Sequence, residues 1–292
     1  MMAKTISARR TDDPMATHPI SRRSLLAVGA LTLAGCATGP TIARPTASPT
    51  GTITQQLDSV LTVIANGNEK LGVALRDLRS KKDYGFNGKY SSQSASMAKP
   101  MIVAMALRKA RADGGALSAE HEEQARKAIT MSDNDSADAL WAYAGGADAY
   151  QALAQELELP ATHRDEKNFW SWTWTTPADQ VLLLRRLREG TPALTQQERS
   201  HILGLMGQVT SEQTWGVGSP RTEGVTVEMK NGWVQFQSTD KLWAVNSMGH
   251  LEGQGRDYLL AIMSRTPDFD TGRELCSEIG RQVFSILGSG SL

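Results

Sequence analysis

The sequence predicts an α+β fold, with helices flanking one antiparallel sheet and an all-helical subdomain inserted between its strands. One extended run lies in the first third of the chain, at 71–77. Three more lie near its end, at 225–230, 242–248 and 257–263. The stretch between them, 96–210, is mostly helical, since its apolar residues recur three and four apart. Strands at both ends of the chain predict that the first strand pairs with the last ones.

The remaining elements follow from local patterns. Apolar residues at helical spacing from Leu57 to Ile64 predict a first helix, and the Asn-Gly pair at 87–88 is typical of a tight turn. A final amphipathic helix is predicted over 271–287. The helices predicted in the middle of the chain cover 97–112, 118–131, 136–144, 147–158, 177–188 and 196–207.

Composition narrows the class of protein. Of the 292 residues, 40% are hydrophobic and 21% are charged, which is ordinary for a globular chain and disfavours collagen-like, disordered and multi-span membrane proteins. The 31 Lys and Arg residues balance the 31 Asp and Glu residues, so nothing in the charge favours a nucleic-acid partner.

The first 35 residues resemble an export signal. Arg22 and Arg23 precede about eleven uncharged residues, too few for a membrane-spanning helix of about twenty. The twin arginine resembles a Tat signal, and the Leu-Ala-Gly-Cys sequence ending at Cys36 resembles a bacterial lipobox. We therefore expect residues 1–35 to be removed and Cys36 to be lipidated. The protein would be exported, anchored to the outer face of the bacterial cytoplasmic membrane or secreted.

A tether is predicted to separate this signal from the folded domain. Residues 36–52 are rich in Thr, Ala, Pro and Gly, a composition typical of flexible linkers, which leaves 53–292 as the domain. With Cys36 lipidated, Cys276 has no partner for a disulfide, and we interpret it as a small buried apolar residue.

Several common chemistries lack their motifs. The five histidines never approach metal-binding spacing, and His121 is not followed by the second histidine of a zinc-binding helix. The sequence has no G-x-S-x-G elbow, Walker loop or dinucleotide fingerprint. We therefore expect neither a metal nor a cofactor.

A Ser/Lys pair remains as a candidate nucleophile and base. Ser96 and Lys99 form an S-x-x-K sequence at the start of a predicted helix, where residues three apart lie on one face. This brings a hydroxyl and a potential base within reach of each other. The pattern is weak alone, because Ser238 and Lys241 form a second S-x-x-K, and because Ser96 could simply cap its helix.

Two further triplets strengthen the pattern. Ser-Asp-Asn at 132–134 lies on a predicted helix-to-helix connection, and Lys-Asn-Gly at 230–232 is predicted to end a strand, where glycine permits close approach. With the helix-opening Thr-Thr-Pro at 175–177, the chain resembles the serine β-lactamase and penicillin-binding-protein superfamily over about residues 53–290. It is most similar to class A β-lactamases, whose S-x-x-K, S-D-N and K-T/S-G signatures occur in this order.

The resemblance implies roles for the catalytic residues. Ser96 would be the acylated nucleophile, Lys99 its proton acceptor, and Ser132 the relay that carries the proton to the leaving nitrogen. Lys230 would be the second cation that lowers the pKa of Lys99, and it would favour an anionic substrate carboxylate. No cofactor is implied.

The resemblance also implies substrate contacts. Asn134 would bind the substrate amide, and the N–H groups of Ser96 and Trp233 would form the oxyanion hole. Gly232 belongs to the same triplet, but Asn231 stands where the family usually has Thr or Ser. An amide can still donate a hydrogen bond, so Asn231 stays a candidate substrate contact.

The loop at 163–174 departs further from the family. Class A enzymes carry there a Glu that positions the deacylating water, with an Asn four residues later. Here the loop is shortened, and Glu166 is followed by Asn168 only two residues on, so Glu166 is a candidate base and we predict slow breakdown of the acyl-enzyme. The loop also holds aromatic residues that either wall the pocket or pack under the sheet: Phe169, Trp170, Trp172 and Trp174.

Three functions remain open from the sequence. The first is a β-lactamase-like serine acyl hydrolase acting on β-lactams or related amides and esters. The second is a D-alanyl-D-alanine peptidase acting on cell-wall peptides, and the third is a non-catalytic cell-wall-binding lipoprotein. The presence of both lysines and both serines favours a catalytic function over a binding function. We expect a monomer that meets a small β-lactam or peptidoglycan-type substrate, touches the membrane only through its lipid, and binds no nucleic acid.

Overall fold

The structure, a computed structural model, describes residues 42–45, 49–236 and 241–292. The predictions that concern the export signal, Cys36 and Ser238 lie outside these ranges. Within them, no helix is long and apolar enough to cross a membrane.

Strands at both ends of the domain build one antiparallel sheet of five strands, in the order β2-β1-β7-β6-β5. Two short strands, β3 and β4, pair separately. The strands are β1 (Leu71–Asp77), β2 (Lys82–Phe86), β3 (Ser92–Gln93), β4 (Trp174–Thr175), β5 (Val225–Gln235), β6 (Trp243–Gly253) and β7 (Arg256–Thr266). The predicted pairing of the first strand with the last is confirmed, since Leu71 in β1 lies opposite Ser264 in β7.

The helices agree with the predicted ones to within two residues at each end, with the start of α2 replaced by a 3₁₀ turn at Ala95–Ala98. They are α1 (Ile53–Ala65), α2 (Lys99–Ala112), α3 (Ala119–Thr130), α4 (Asn134–Ala144), α5 (Gly146–Glu156), α6 (Pro177–Glu189), α7 (Gln196–Met206) and α8 (Phe269–Leu287). The α+β fold with an inserted helical subdomain is therefore confirmed.

The two faces of the sheet are covered by different helices. Leu57 and Leu61 from α1 and Ile279 from α8 are buried with the strand residues on one face. On the other face, Met101 and Ile102 of α2 belong to a core formed with the inserted helices. Replacing such a buried residue by alanine typically costs about 2–5 kcal/mol, so these two cores fix the strands and α2 relative to each other.

The three C-terminal strands extend beyond their predicted ends, and the extension of β5 changes the setting of a sequence motif. The Lys-Asn-Gly triplet at 230–232 was expected to end a strand, because Asn and Gly are typical of turns. Instead, β5 continues to Gln235, paired with β6 along its whole length, so the triplet lies in the middle of a long edge strand. Tertiary pairing has overridden the local turn preference.

Candidate active site

Ser96 lies on the 3₁₀ turn that leads into α2, at the edge of the cleft. The turn is held by two hydrogen bonds, from Ser94 N to the Thr173 carbonyl (2.8 Å) and between the hydroxyls of Ser94 and Thr173 (2.6 Å). Ala95 has a φ of 48°, a left-handed conformation that non-glycine residues rarely adopt. The Ser96 side chain makes no hydrogen bond within the described part of the chain, so its hydroxyl stays free for a substrate.

Lys99 is fully buried one residue beyond this turn. Its Nζ donates to the Ser132 carbonyl (2.6 Å), the Asp133 carbonyl (3.1 Å) and Asn134 Oδ1 (2.9 Å). Burying an ammonium group is costly unless oxygen atoms replace its water. The S-x-x-K and Ser-Asp-Asn sequences are therefore joined through this side chain.

The Ser132 hydroxyl lies between two lysines. Lys230 Nζ donates to Ser132 Oγ at 2.8 Å, and Lys99 Nζ lies 3.4 Å from the same oxygen. Ser132 has a φ of 61°, again left-handed, and strain of this kind occurs often at functional sites. All three sequence signatures therefore meet at one hydroxyl.

The two lysines are shifted toward their neutral forms. Burial lowers the pKa of Lys99 from 10.5 to about 7, although the charges of Asp133 and Asp138 act in the opposite direction. Burial lowers the pKa of Lys230 as well, and the positive charge of Lys99 adds to this effect. A lysine with a pKa near neutrality can accept a proton at the pH where the cell operates.

Gly232 brings β5 against the serine turn. A Cβ atom at this position would lie 2.7 Å from Met97 N and 2.9 Å from Ser96 N, closer than real Cβ atoms approach. Only glycine therefore allows this contact. Trp233, the next residue, is half-buried on the same edge strand.

Asp133 explains why the chain turns at Ser132. Its side chain caps α4 by accepting a hydrogen bond from Ser136 N (2.8 Å). Hydrogen bonding from Ser136 lowers the pKa of Asp133. Asp is among the residues favoured at this position. The cap fixes the direction in which α4 starts, so Asn134 at its first position faces Lys99.

The family model described as the beta-lactamase enzyme family matches residues 52–122 and 120–287.

The chain belongs to the beta-lactamase enzyme family.

Solved structures agree on the fold. A class A beta-lactamase from Bacteroides cellulosilyticus has a TM-score of 0.70 and 17% identity, over 82% of this chain and 100% of that one. A beta lactamase from Xanthomonas campestris pv. campestris gives 0.68 and 18%, over 81% and 99%, and one from Sphaerobacter thermophilus gives 0.64 and 19%, over 78% and 95%. Among curated proteins, no relative matches. The resemblance is confirmed, and the chain is a serine β-lactamase-like hydrolase.

In this member of the beta-lactamase enzyme family, the contacts of Asn231 differ from those expected of a residue that binds substrate. Its side chain is buried, and its amide donates to the carbonyls of Gln213 (2.7 Å) and Trp215 (3.3 Å). Its oxygen accepts a hydrogen bond from the Ser247 hydroxyl (2.6 Å). With both amide protons and the oxygen engaged, Asn231 holds β5 in place and has no donor left for a substrate carboxylate.

Glu166 is not brought to the lysines. It is exposed on a shallow hollow beside Asp148 and Arg164, and it makes no hydrogen bond or ion pair with any described residue. Asn168 also turns away, accepting hydrogen bonds from Trp141 Nε1 (3.1 Å) and Ala147 N (2.9 Å) at the far end of α4. Glu166 therefore has no hydrogen bond or ion pair to Ser96, Lys99 or Lys230.

The aromatic residues of the loop differ in their exposure and contacts. Phe169 and Trp174 are exposed, and Trp172 makes an edge contact with Phe236 at 5.7 Å between ring centroids. Trp170 is buried, and the face of its ring lies 4.8 Å from Lys99 Nζ.

The indole N–H of Trp170 donates to Asp138 Oδ1 at 2.5 Å. Sequence reasoning did not identify Asp138 as a site residue. The spacing could have indicated it, because residues four apart on a helix share a face and Asp138 follows Asn134 by four.

Proposed function

We propose that Ser96 is acylated by β-lactams or related amides and esters, and that the acyl-enzyme is then hydrolysed. The observation that carries this proposal is the Ser132 hydroxyl, which lies 2.8 Å from Lys230 Nζ and 3.4 Å from Lys99 Nζ. Two desolvated lysines around one hydroxyl make a path for protons, whereas a binding protein would gain nothing from their burial.

In the acylation step, neutral Lys99 accepts the proton of the Ser96 hydroxyl while Oγ attacks the carbonyl carbon. The N–H groups of Ser96 and Trp233 stabilise the oxyanion. The carbon–nitrogen bond then breaks, and the leaving nitrogen takes a proton from the Ser132 hydroxyl. Ser132 regains its proton from Lys99, whose Nζ lies 3.4 Å from Ser132 Oγ, so Lys99 returns to its neutral form.

Two groups orient the substrate in this scheme. In its protonated form, Lys230 attracts a substrate carboxylate to the β5 side of the cleft. Asn134 is exposed, and since its oxygen accepts from Lys99, its amide N–H groups stay available for a substrate amide carbonyl. Gly232 brings β5 close enough to Ser96 for both sides to contact one ligand.

The test is intact mass after incubation with penicillin, followed by peptide mapping. We expect one adduct on Ser96, no adduct with Ser96→Ala, and an acylation rate about a hundredfold to ten-thousandfold lower with Lys99→Ala. Ser238→Ala is the matched control for the second S-x-x-K sequence and should acylate like the parent. An adduct on Ser238, or none across several β-lactams and activated esters, would refute the proposal, and the second result would favour the binding lipoprotein.

Turnover separates the two enzymatic functions. A β-lactamase should hydrolyse a chromogenic β-lactam repeatedly, and its expression should raise antibiotic resistance in a sensitive host. A D-alanyl-D-alanine peptidase should instead release D-alanine from a cell-wall peptide and be inhibited by the same β-lactam.

We also propose that the protein is exported by the Tat route, lipidated at Cys36 and active as a monomer outside the membrane. The support is the sequence alone, namely Arg22 and Arg23 ahead of the apolar run and the lipobox before Cys36. Metabolic labelling with a fatty acid should depend on Cys36. Equal labelling of Cys36→Ala would contradict lipidation at this residue, and the Cys276→Ala variant controls for labelling of the other cysteine.

A further inference from the structure

A carboxylate lies beside the reacting cluster, on the helix that also carries Asn134. Asp138 is one helical turn beyond Asn134 on α4, and side chains four residues apart share a helix face. Asn134 Oδ1 accepts a hydrogen bond from Lys99 Nζ at 2.9 Å, so this face is directed at the lysine. Asp138 therefore extends the same face toward the part of the cleft lined by Trp170.

Trp170 connects Asp138 to Lys99. Its indole N–H donates to Asp138 Oδ1 at 2.5 Å, while the face of the same ring lies 4.8 Å from Lys99 Nζ. The ring is buried, so it can hold the carboxylate in one orientation. The charge of Asp138 is close enough to raise the pKa of Lys99 against the effect of burial.

The second oxygen of Asp138 is available to water. Asp138 is solvent-exposed, and among the residues described its side chain makes only the hydrogen bond to Trp170 and no ion pair. A general base needs this combination of one oxygen fixed by the protein and one free to accept a proton. Glu166, in contrast, has neither a fixing contact nor a place near Lys99.

We infer that Asp138, oriented by Trp170, is the general base that activates water for hydrolysis of the acyl-enzyme. The inference rests on the proposed acylation of Ser96. It moves the deacylating carboxylate from the shortened loop to α4.

Hydrolysis of the acyl-enzyme consumes one water molecule. Asp138 takes one proton from water while the water oxygen bonds to the acyl carbonyl carbon, giving a tetrahedral intermediate. The bond between that carbon and Ser96 Oγ then breaks, and Oγ receives the proton from Asp138, directly or through Lys99. The products are a carboxylic acid and the free serine. Trp170 is a positioning residue here, because it acts only through Asp138.

The experiment follows acylation and deacylation separately, with quenched-flow mixing and intact mass. Asp138→Asn should acylate at least as fast as the parent, since loss of its charge leaves more of Lys99 neutral, and its adduct should persist, with deacylation slowed about a hundredfold to ten-thousandfold. Trp170→Phe keeps the ring but removes the N–H, and it should slow deacylation about tenfold or more without changing acylation. A purely structural role of Trp170 would slow both steps.

Asp135→Asn is the matched control, since it removes a carboxylate from the first turn of the same helix. Asp135 is exposed and makes no contact with Lys99, so its variant should deacylate like the parent. The inference is overturned if Asp138→Asn deacylates normally, or if Glu166→Gln traps the adduct instead. Absence of both adduct and turnover in the parent would refute the proposed function, a result distinct from both.

Discussion

Replacement of Lys99 by methionine should change how the stability of the protein depends on pH. Burial lowers the pKa of Lys99 in the folded state from 10.5 to about 7. Between these values the unfolded chain binds more protons than the folded one, so the free energy of unfolding rises with pH. For one group with these two pKa values, the rise between pH 7 and pH 9 is about 2 kcal/mol.

Lys230 adds to this rise in the parent, since burial lowers its pKa too. Lys99→Met should therefore lose about 2 kcal/mol of the parent's rise while retaining the contribution of Lys230. Met matches the length of the apolar stem of Lys and carries no proton, so the change isolates the titration.

Urea unfolding at pH 7, 8 and 9 measures the effect. The range stops at 9 because burial raises the pKa of Tyr84 and Tyr258, and such tyrosines lower stability once the unfolded chain ionises. Lys89→Met, at an exposed position, is the control and should keep the parent's rise. If Lys99→Met also keeps it in full, Lys99 is charged in the folded protein at pH 9, and the assignment of Lys99 as the base is refuted.

Three other predictions follow from the site. Gly232→Ala should slow acylation and lower stability by about 1–3 kcal/mol, because its Cβ would clash with the backbone N–H of Ser96. Normal kinetics and an unchanged urea midpoint would contradict the close contact. Asn231→Thr should also lower stability by about 1–3 kcal/mol, since one hydroxyl cannot donate to the carbonyls of both Gln213 and Trp215. A gain in β-lactam affinity without loss of stability would show that the amide is not needed to hold β5. The acylation rate should fall about fivefold from pH 7 to pH 6, as Lys99 is protonated around its pKa of about 7, and a flat profile in stopped-flow mixing would exclude Lys99 as the proton acceptor.

The elements could be predicted because local patterns and tertiary packing agree in most of the chain. The first helix shows this consistency. The residues of its predicted apolar face are buried, namely Leu57, Val60, Leu61 and Ile64. Thr52 and Gln55 cap the start of the helix with a reciprocal capping box. The final helix likewise buries the predicted face, including Leu275 and Ile279. Where sequence and packing conflict, as at the Asn-Gly pair in β5, pairing with β6 decides the outcome.

The candidate site was only partly predictable. Short motifs identified Ser96, Lys99 and Ser132, because their chemistry depends on residue type and local spacing. The environment of Asn231 could not be foreseen, since its partners Gln213 and Ser247 come from distant parts of the chain. The position of Glu166 depends on how a shortened loop crosses the surface, which residue types do not encode. Trp170 and Asp138 meet across 32 residues of sequence for the same reason.

The order of strands in the sheet also constrains how the molecule can be made. β1 lies between β2 and β7, so the hairpin formed early in synthesis has an open edge until residues 256–266 leave the ribosome. Closing such a long loop is entropically unfavourable and slow, whereas the helices between the strands rely on nearer contacts. Truncation within β7 should therefore leave the inserted helices beside an unpaired strand edge, a feature that promotes aggregation. Lys230 therefore reaches its position beside Lys99 late in folding. A nascent chain should have no catalytic activity until β7 has paired.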